Sequence, residues 1–500
     1  MNTSSRGVPE ELKRAVGGGV LLEDAGSLNE YGEACYPVEG LRPGAAVKVS
    51  EAGDVAAVVR AARDHGVNLV PVSSGPPHRK GGAAPASDGV VVDLSGMKQF
   101  LHFDRRNKVA VIEPGVTFDE LRARAKREGL RPLSPLLPRE NKSVVASYLE
   151  KQPITIPKYH WDTTDPLLCV EVVFGTGDVF RTGSAAGPGT LEEQWAKGNA
   201  QKNPMGPAAT DILKLVQGAQ GTMGIVTWAS VKLELDPAVR RFRFVVSDGA
   251  EPLLCLAREM LRRKLADELL LLDRVNLARC LADVGISGKG KWKVDDPFVM
   301  VYAVAGYEGL MPEERAEYQE RDIEELARGL GLIPRAALGE ISGEDAAEVF
   351  DGTGPPGLAA HGGGAGREVF FLTTMDRVPA FVEVVRRAAS HNGVDPGTLG
   401  VYVQPVLQGR ACHLEFDIYY DPGDSAAAAL AGGAAAEASA QLAGSGAFFS
   451  RPYEPWVELA YEKCPDTVDA LRRVKGVFDP ADIMNRGKLC FGGGESDDAR

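Results

Sequence analysis

Ten consecutive residues between two apolar runs carry the chain's most specific chemistry: Ser73-Ser74-Gly75-Pro76-Pro77-His78-Arg79-Lys80-Gly81-Gly82. Small side chains leave the backbone N–H groups of such a loop open to an anion, and three basic side chains offset its charge. A pyrophosphate suits this loop. Pro76 and Pro77 have no N–H, so the donors must be Ser74, Gly75, His78 to Gly82 and the serine hydroxyls. The loop leads into the strand Gly89-Val90-Val91-Val92-Asp93 and not into a helix. It is therefore neither a Rossmann dinucleotide fingerprint nor a Walker A loop.

The elements that must position this loop are readable around it. Val47 to Ser50 reads as a strand, Glu51 to His65 as a helix with Val55, Val58, Val59 and Ala62 at helical spacing, and Val67 to Val72 as the next strand. After the loop come a strand ending Glu113-Pro114-Gly115-Val116-Thr117, a helix from Phe118 to Glu128 closed by Gly129, and helical turns from Ser143 to Glu150. Leu167 to Phe174 and Val179 to Gly183 form a hairpin across Gly175-Thr176-Gly177-Asp178. The stretch Leu215 to Thr227 is a helix end, the turn Gly218-Ala219-Gln220-Gly221-Thr222-Met223-Gly224 and a strand.

In this order these units resemble the FAD-binding domain of the vanillyl-alcohol oxidase and p-cresol methylhydroxylase flavoprotein superfamily, which also holds FAD subunits of glycolate oxidase and D-lactate dehydrogenase. The terminal Phe478-Asp479-Pro480 … Asn485-Arg486-Gly487-Lys488 is similar to the stretch these flavoproteins fold back onto the flavin, with Arg486 where a proline is usual. The resemblance implies an α+β architecture: a two-subdomain PCMH-type FAD-binding domain with an inserted α+β substrate (cap) domain. It divides the chain into an extension at 1–44, the FAD-binding domain at 45–236, the cap at 237–445 and a returning segment at 446–500. It implies FAD as cofactor, held by Ser73, Ser74, Gly75, His78, Arg79, Lys80, Gly81, Gly82, Pro114, Ser143, Ser147, Gly218, Gly221, Thr222, Gly224, Ile225, Val226, Asn485 and Lys488.

Composition sets the remaining bounds. Five hundred residues suffice for two or three domains with real cores. A net charge of −13 argues against nucleic acid or an anionic membrane as partner. Seven cysteines, odd in number and without a CxxC pair, fit neither a disulfide framework nor an iron–sulfur or zinc site. Met1 to Gly19 lacks the apolar core of a signal peptide, and no run approaches a membrane span. These features lead us to expect a cytoplasmic enzyme with a small-molecule substrate, in which any electron-accepting metal centre belongs to a separate protein; a homo-oligomer is open.

Beyond Asp236-Pro237 the pattern changes. Leu253 to Leu272 reads as helical, Phe298 to Tyr307 as a strand, Pro312 to Leu330 as a charged helix and Val369 to Thr374 as a strand. Val378 to Asn392 is a helix, followed by strands from Leu399 to Leu407 and Cys412 to Tyr420. Gly352 to Gly366 reads as a loop, and Ala426 to Ala443 as an interrupted helix with Leu430 and Leu442 inward.

Hydride transfer to flavin N5 from a carbon beside a hydroxyl requires a base or a phenolate-binding group, and a wall that holds that carbon over the ring. Ile156 to Asp162 falls where vanillyl-alcohol relatives have an active-site loop, and Ser450 to Tyr453 resembles a Tyr and Arg region of their pocket. The resemblance thus makes Tyr159, His160, Asp162, Arg451 and Tyr453 the candidate catalytic residues. His413, alternating with Cys412, Leu414 and Phe416, reads as a buried, satisfied histidine. The paired histidines and Gly-Glu-His-Gly segment of the metal-dependent hydroxy-acid enzymes are missing, so no metal is expected. The expected activity is FAD-dependent oxidation of an alcohol or phenol. The alternatives are an FAD subunit of a D-2-hydroxy-acid dehydrogenase and a flavin-binding subunit without its own substrate site.

Overall fold

The computed structural model describes residues 10–15, 19–32, 43–76, 89–159, 165–206, 211–286, 298–309, 311–354 and 365–491. Three sheets organise them. In the first, β2 (Ala45–Lys48), β4 (Val90–Asp93) and β3 (Leu69–Val72) run parallel. Parallel neighbours need a crossover, and the helix Ala52–His65 supplies it, burying Val55, Val58, Val59 and Ala62 against Val47, Leu69, Val90 and Val92. β1 (Val20–Leu22) adds an antiparallel edge to β2, so the 1–44 extension contributes a strand to this sheet.

The second sheet is antiparallel, in the order β5 (Phe100–Asp104), β6 (Val109–Ile112), β10 (Gly224–Leu235), β8 (Leu167–Phe174), β9 (Val179–Arg181), with β7 (Leu130–Pro132) also on β10. The helix Phe118–Lys126 packs beneath it, opened by a capping box in which Thr117 and Glu120 exchange side-chain-to-backbone bonds. Asp104 closes β5, and its carboxylate accepts two bonds from Asn107.

The third sheet runs β11 (Val239–Ser247), β13 (Phe298–Gly306), β12 (Glu268–Asp273), β15 (Leu399–Val406), β16 (Ala411–Tyr420), β14 (Ala365–Thr373), antiparallel throughout. One face packs against the helices Ala250–Arg262, Pro312–Gly329, Val378–His391 and Ser425–Gly444. Leu271, Val401, Val403, Leu414, Phe416 and Ile418 point to that side. The opposite face carries Leu270, Leu272 and Tyr402, which meet Leu137 beyond β7. Further along the same face lie buried Gln404, His413, Glu415, Asp417 and Glu368.

Two expectations are corrected here. Leu253 to Leu272 is not one helix: the helix stops at Arg262, Lys264 and Ala266 take positive φ, and Leu269-Leu270-Leu271-Leu272 is strand β12. A central strand buried on both faces has a continuous apolar run, which cannot be told from a buried helix by periodicity. The alanine-rich segment is one uninterrupted helix of 20 residues, because the propensity of its alanines outweighs Gly432 and Gly433. Leu442 is buried as expected, while Leu430 faces solvent. Among the described residues no helix is long and apolar enough to cross a membrane.

Candidate active site

Four separate segments meet at the end of β3. The hydroxyl of Ser143, which caps the helix Val144–Leu149, donates to the Pro114 carbonyl at 2.5 Å and lies 3.2 Å from the Ser73 hydroxyl. The Ser143 N–H donates to the Ser74 hydroxyl at 3.1 Å. Gly75 is pinned by its N–H to the Asn141 carbonyl, and a β-carbon there would come within 3.0 Å of the Asn141 amide. At the end of the same helix, the Gly218 N–H donates to the Leu149 carbonyl at 2.7 Å. The turn that follows presses on β3. Gly221 has φ +75°, and a β-carbon would stand 2.5 Å from Pro71 Cγ, so only glycine fits. Among the described residues no atom lies within 4 Å of a β-carbon built on Gly218, at φ +70°, so this turn presents bare backbone.

The C-terminal segment locks onto this turn. The Asn485 side chain donates to the Gln220 carbonyl at 2.6 Å, and its N–H to the Leu69 carbonyl at 2.8 Å. Lys475, buried, donates to the Thr222 carbonyl at 2.9 Å, to the Met484 carbonyl at 3.2 Å and to the Asp479 carboxylate at 2.6 Å. Sequence reasoning missed Lys475 and Gln220. The available signal for the first was Lys475 and Asp479 at i, i+4 on the last turn of the helix Pro465–Phe478. Lys488 is also buried, and among the described residues its ammonium has no hydrogen-bond partner. Burial lowers its pKa, with Glu454 opposing.

The other cofactor candidates take structural positions in this wall. Ser147 donates to the Gln152 side chain at 2.6 Å, and the Thr222 hydroxyl to the Ala219 carbonyl at 2.7 Å. Gly224, Ile225 and Val226 open β10 against β8, where a Gly224 β-carbon would meet the Val173 carbonyl at 2.6 Å. Small residues, bare turn backbone and a buried ammonium suit a planar, anionic ligand such as FAD. His78, Arg79, Lys80, Gly81 and Gly82 lie outside the described residues, as do His160 and Asp162.

The catalytic candidates separate into two clusters. Tyr159 hydrogen-bonds to Glu234, with Arg131 and Asp267 in its field and the Lys158 ammonium 5.3 Å from its ring; burial pushes its pKa up. This is the junction of the second and third sheets. Arg131 of β7 donates to Asp267 at 2.7 Å and to Glu268 at 2.5 Å; Lys158 and Tyr307 also hold Asp267, and Arg240 holds Glu268. Tyr159 therefore sits in an ion cluster and not beside Arg451.

Arg451 and Tyr453 belong to the second cluster, and His413 joins them. The Arg451 guanidinium lies 3.4 Å from His413 Nδ1 and 4.2 Å above the Phe370 ring. His413 Nε2 is 2.8 Å from the Glu415 carboxylate. A guanidinium can only donate, so Nδ1 accepts and Nε2–H donates to Glu415. Tyr453 meets Phe370 edge-on at 6.2 Å, and burial raises its pKa. The Gln220 amide donates to the Pro452 carbonyl at 2.9 Å, which ties this segment to the glycine turn. His413 is buried and satisfied, as its strand pattern suggested, and it also meets Arg451.

Next to His413, oxygens of Glu368, Glu415 and Asp417 lie within 4.8 Å of one another. Burial, with Glu415 and Glu368 adding to it, pushes the Asp417 pKa well above its ordinary value. Its Oδ2 accepts from Asn276 at 2.8 Å.

Comparison with known proteins fits this arrangement. The FAD binding domain family matches residues 43–183, and the C-terminal domain of FAD linked oxidases matches residues 453–489. D-2-hydroxyglutarate dehydrogenase of Stutzerimonas stutzeri is 31% identical over 234 residues, 46% of this chain and 45% of that protein. Glycolate oxidase subunit GlcD of Bacillus subtilis is 28% identical over 40% of this chain and 38% of its own. The chain thus spans under half the length of these two relatives. The structure of p-cresol methylhydroxylase with substrate bound superposes with TM-score 0.79 at 18% identity, covering 97% of this chain and 98% of that one. Similarity of both sequence segments and of the whole fold leads to one assignment: the chain carries the FAD binding domain and the C-terminal domain of FAD linked oxidases on a p-cresol methylhydroxylase fold, with FAD as its cofactor.

Proposed function

We propose that the protein oxidises an alcohol or a phenol, with Arg451 and His413 as the groups that handle the substrate oxygen. The observation that carries this reading is the buried Arg451–His413 contact, tied to the glycine turn of the cofactor wall through Pro452 and Gln220. At 3.4 Å that contact is long for a hydrogen bond, so a substrate hydroxyl can take its place at little cost. Its oxygen then accepts from the Arg451 guanidinium while its proton passes to His413 Nδ1. Glu415 on the opposite nitrogen stabilises the imidazolium that forms. Arg451, held flat on Phe370, meets the negative charge developing on oxygen. FAD, when bound, accepts the hydride at N5. Tyr453 and Phe370 supply an apolar wall for the carbon that loses it.

Anaerobic rapid mixing of the flavin-loaded protein with phenols, alcohols and 2-hydroxy acids tests this reading. Bleaching by the first two classes, slowed in Arg451→Met and His413→Gln, is the expected result. Unchanged rates in both variants would place the substrate elsewhere, with Tyr159, His160 and Asp162 the next residues to replace.

A second reading has a specific support: the names of the two curated relatives above are those of enzymes for 2-hydroxy acids. On that reading Arg451 binds the substrate carboxylate, and a separate protein accepts the electrons. Preferential bleaching by D-2-hydroxy acids would select it. A flavin subunit with no substrate of its own would have no use for Arg451 and His413 beside the glycine turn.

A further inference from the structure

Strands β15 and β16 present Tyr402, His413 and Glu415 to the candidate active site, and on their reverse face they border a cavity of about 240 Å³. Phe298, Leu399, Val401 and Phe416 line it from the sheet, and Val382 from the helix Val378–His391. Two guanidinium groups complete the lining: Arg274, exposed on the first turn of the helix Arg274–Asp283, and half-buried Arg386. Arg274 has no hydrogen bond or salt bridge among the described residues. Arg386 donates to Glu383 at 3.1 Å, but the Glu383 side chain is 61% exposed, and a pair so open to water is weak and easily exchanged.

Among the described residues one carboxylate faces the cavity, outnumbered by the two guanidinium groups. Asp273 turns inward to cap the helix, accepting the Asn276 N–H at 2.9 Å, and burial pushes its pKa up to about 7. The lining is therefore apolar within and net positive at its charged end. That combination matches an amphiphilic anion and disfavours a cation or a wholly polar ligand.

We propose that this cavity binds a small aromatic carboxylate, its ring among Phe298, Val382 and Phe416 and its carboxylate between Arg274 and Arg386. A planar carboxylate matches the fork of a guanidinium, which a neutral amide cannot do. Size limits the ligand as well: with roughly 30 Å³ for each water-sized group, the cavity holds about eight, the scale of a single ring bearing one acid group. The site is independent of the reaction proposed above, because the ligand contacts the sheet from the side that faces away from Arg451 and His413.

Benzoate is the probe, titrated into the flavin-loaded protein by ligand-observed NMR while flavin absorbance is followed. Because Arg451 could also attract benzoate, the titration is repeated in Arg451→Met, where saturable binding without a flavin spectral change is expected to persist. Arg274→Ala and Arg386→Ala should each weaken that binding roughly ten-fold. Both should leave flavin reduction by substrate at the wild-type rate. Val382→Trp, which fills the cavity, should abolish binding in protein that keeps its flavin. Benzamide and benzylamine should bind at least about ten-fold more weakly. The proposal is overturned by loss of all saturable binding in Arg451→Met, by affinity unchanged from wild type in both Arg274→Ala and Arg386→Ala, or by benzamide binding as tightly as benzoate.

Discussion

Arg451, His413 and Lys475 are single side chains whose settings have measurable consequences. Replacing Arg451 with methionine keeps its packing over Phe370 and removes the charge, so FAD should be retained while flavin reduction slows by about 10²–10⁴-fold. His413→Gln should do the same, by the same assay. If the two residues act on one oxygen, the double variant will lose far less than the product of the single losses. Lys475 predicts a different failure. Its ammonium bridges the Thr222 carbonyl, the Met484 carbonyl and buried Asp479, so Lys475→Met strands a carboxylate in the interior. We expect a loss of about 3–5 kcal/mol in denaturant unfolding and release of FAD. Lys475→Met with Asp479→Asn should recover part of the stability. Sequence alone brought Arg451 and Tyr453 into view and left His413 as a core residue. A burial pattern cannot reveal which side chain from a distant strand meets it, and the Arg451 contact spans 38 positions.

At the scale of elements, the glycine turn between the helix Leu213–Val216 and β10 is the tightest part of the cofactor wall. Gly221→Ala forces a β-carbon against Pro71 in a left-handed conformation, and should cost roughly 1–3 kcal/mol with weakened FAD retention. Gly218→Ala carries only the conformational penalty, so thermal unfolding of the apoproteins should rank the two. The helix Arg274–Asp283 gives a pH signature. Asp273 ionises near the ordinary value of 3.8 in the unfolded chain and near 7 in the folded one. Its contribution to stability is therefore full below about pH 4 and declines as pH rises towards 7. Asp273→Asn, which keeps the capping acceptor, should flatten that decline when urea unfolding is compared at about pH 5 and about pH 8. Local pattern made most such elements readable: Gly66, Gly129 and the Thr117–Glu120 pair mark helix ends in the sequence itself. Leu269 to Leu272 shows the limit, since a strand buried on both faces has no period to read.

For the whole molecule, the ion cluster at the junction of the sheets decides whether the two halves unfold together. Arg131 is the one side chain from β7 that holds both Asp267 and Glu268, whose carboxylates are 3% exposed. Arg131→Met should lower stability by about 3–5 kcal/mol. It should also turn a single calorimetric transition into two, because Lys158 and Arg240 each retain only one of the two acids. The sequence shows these charges without their partners: Arg131 and Asp267 are 136 positions apart. Tyr159 shows the same limit, since nothing local in the sequence reveals that its side chain meets Glu234.

Strand β16 has an evolutionary consequence. Its odd-numbered residues, His413, Glu415, Asp417 and Tyr419, share one face, on which His413 meets Arg451 while Asp417 and Tyr419 meet Asn276, and its even-numbered ones, Cys412, Leu414, Phe416 and Ile418, face the helices of the opposite layer. The two sets interleave along one backbone and point to opposite faces of the sheet, so selection can rewrite one with little disturbance to the other. A library randomised at 413, 415 and 417 should return mostly folded proteins with altered substrate range. The same diversity at 412, 414 and 416 should return mostly aggregates, with survivors that keep the parental preference. A single strand can thus diversify its catalysis while its foldability is inherited unchanged.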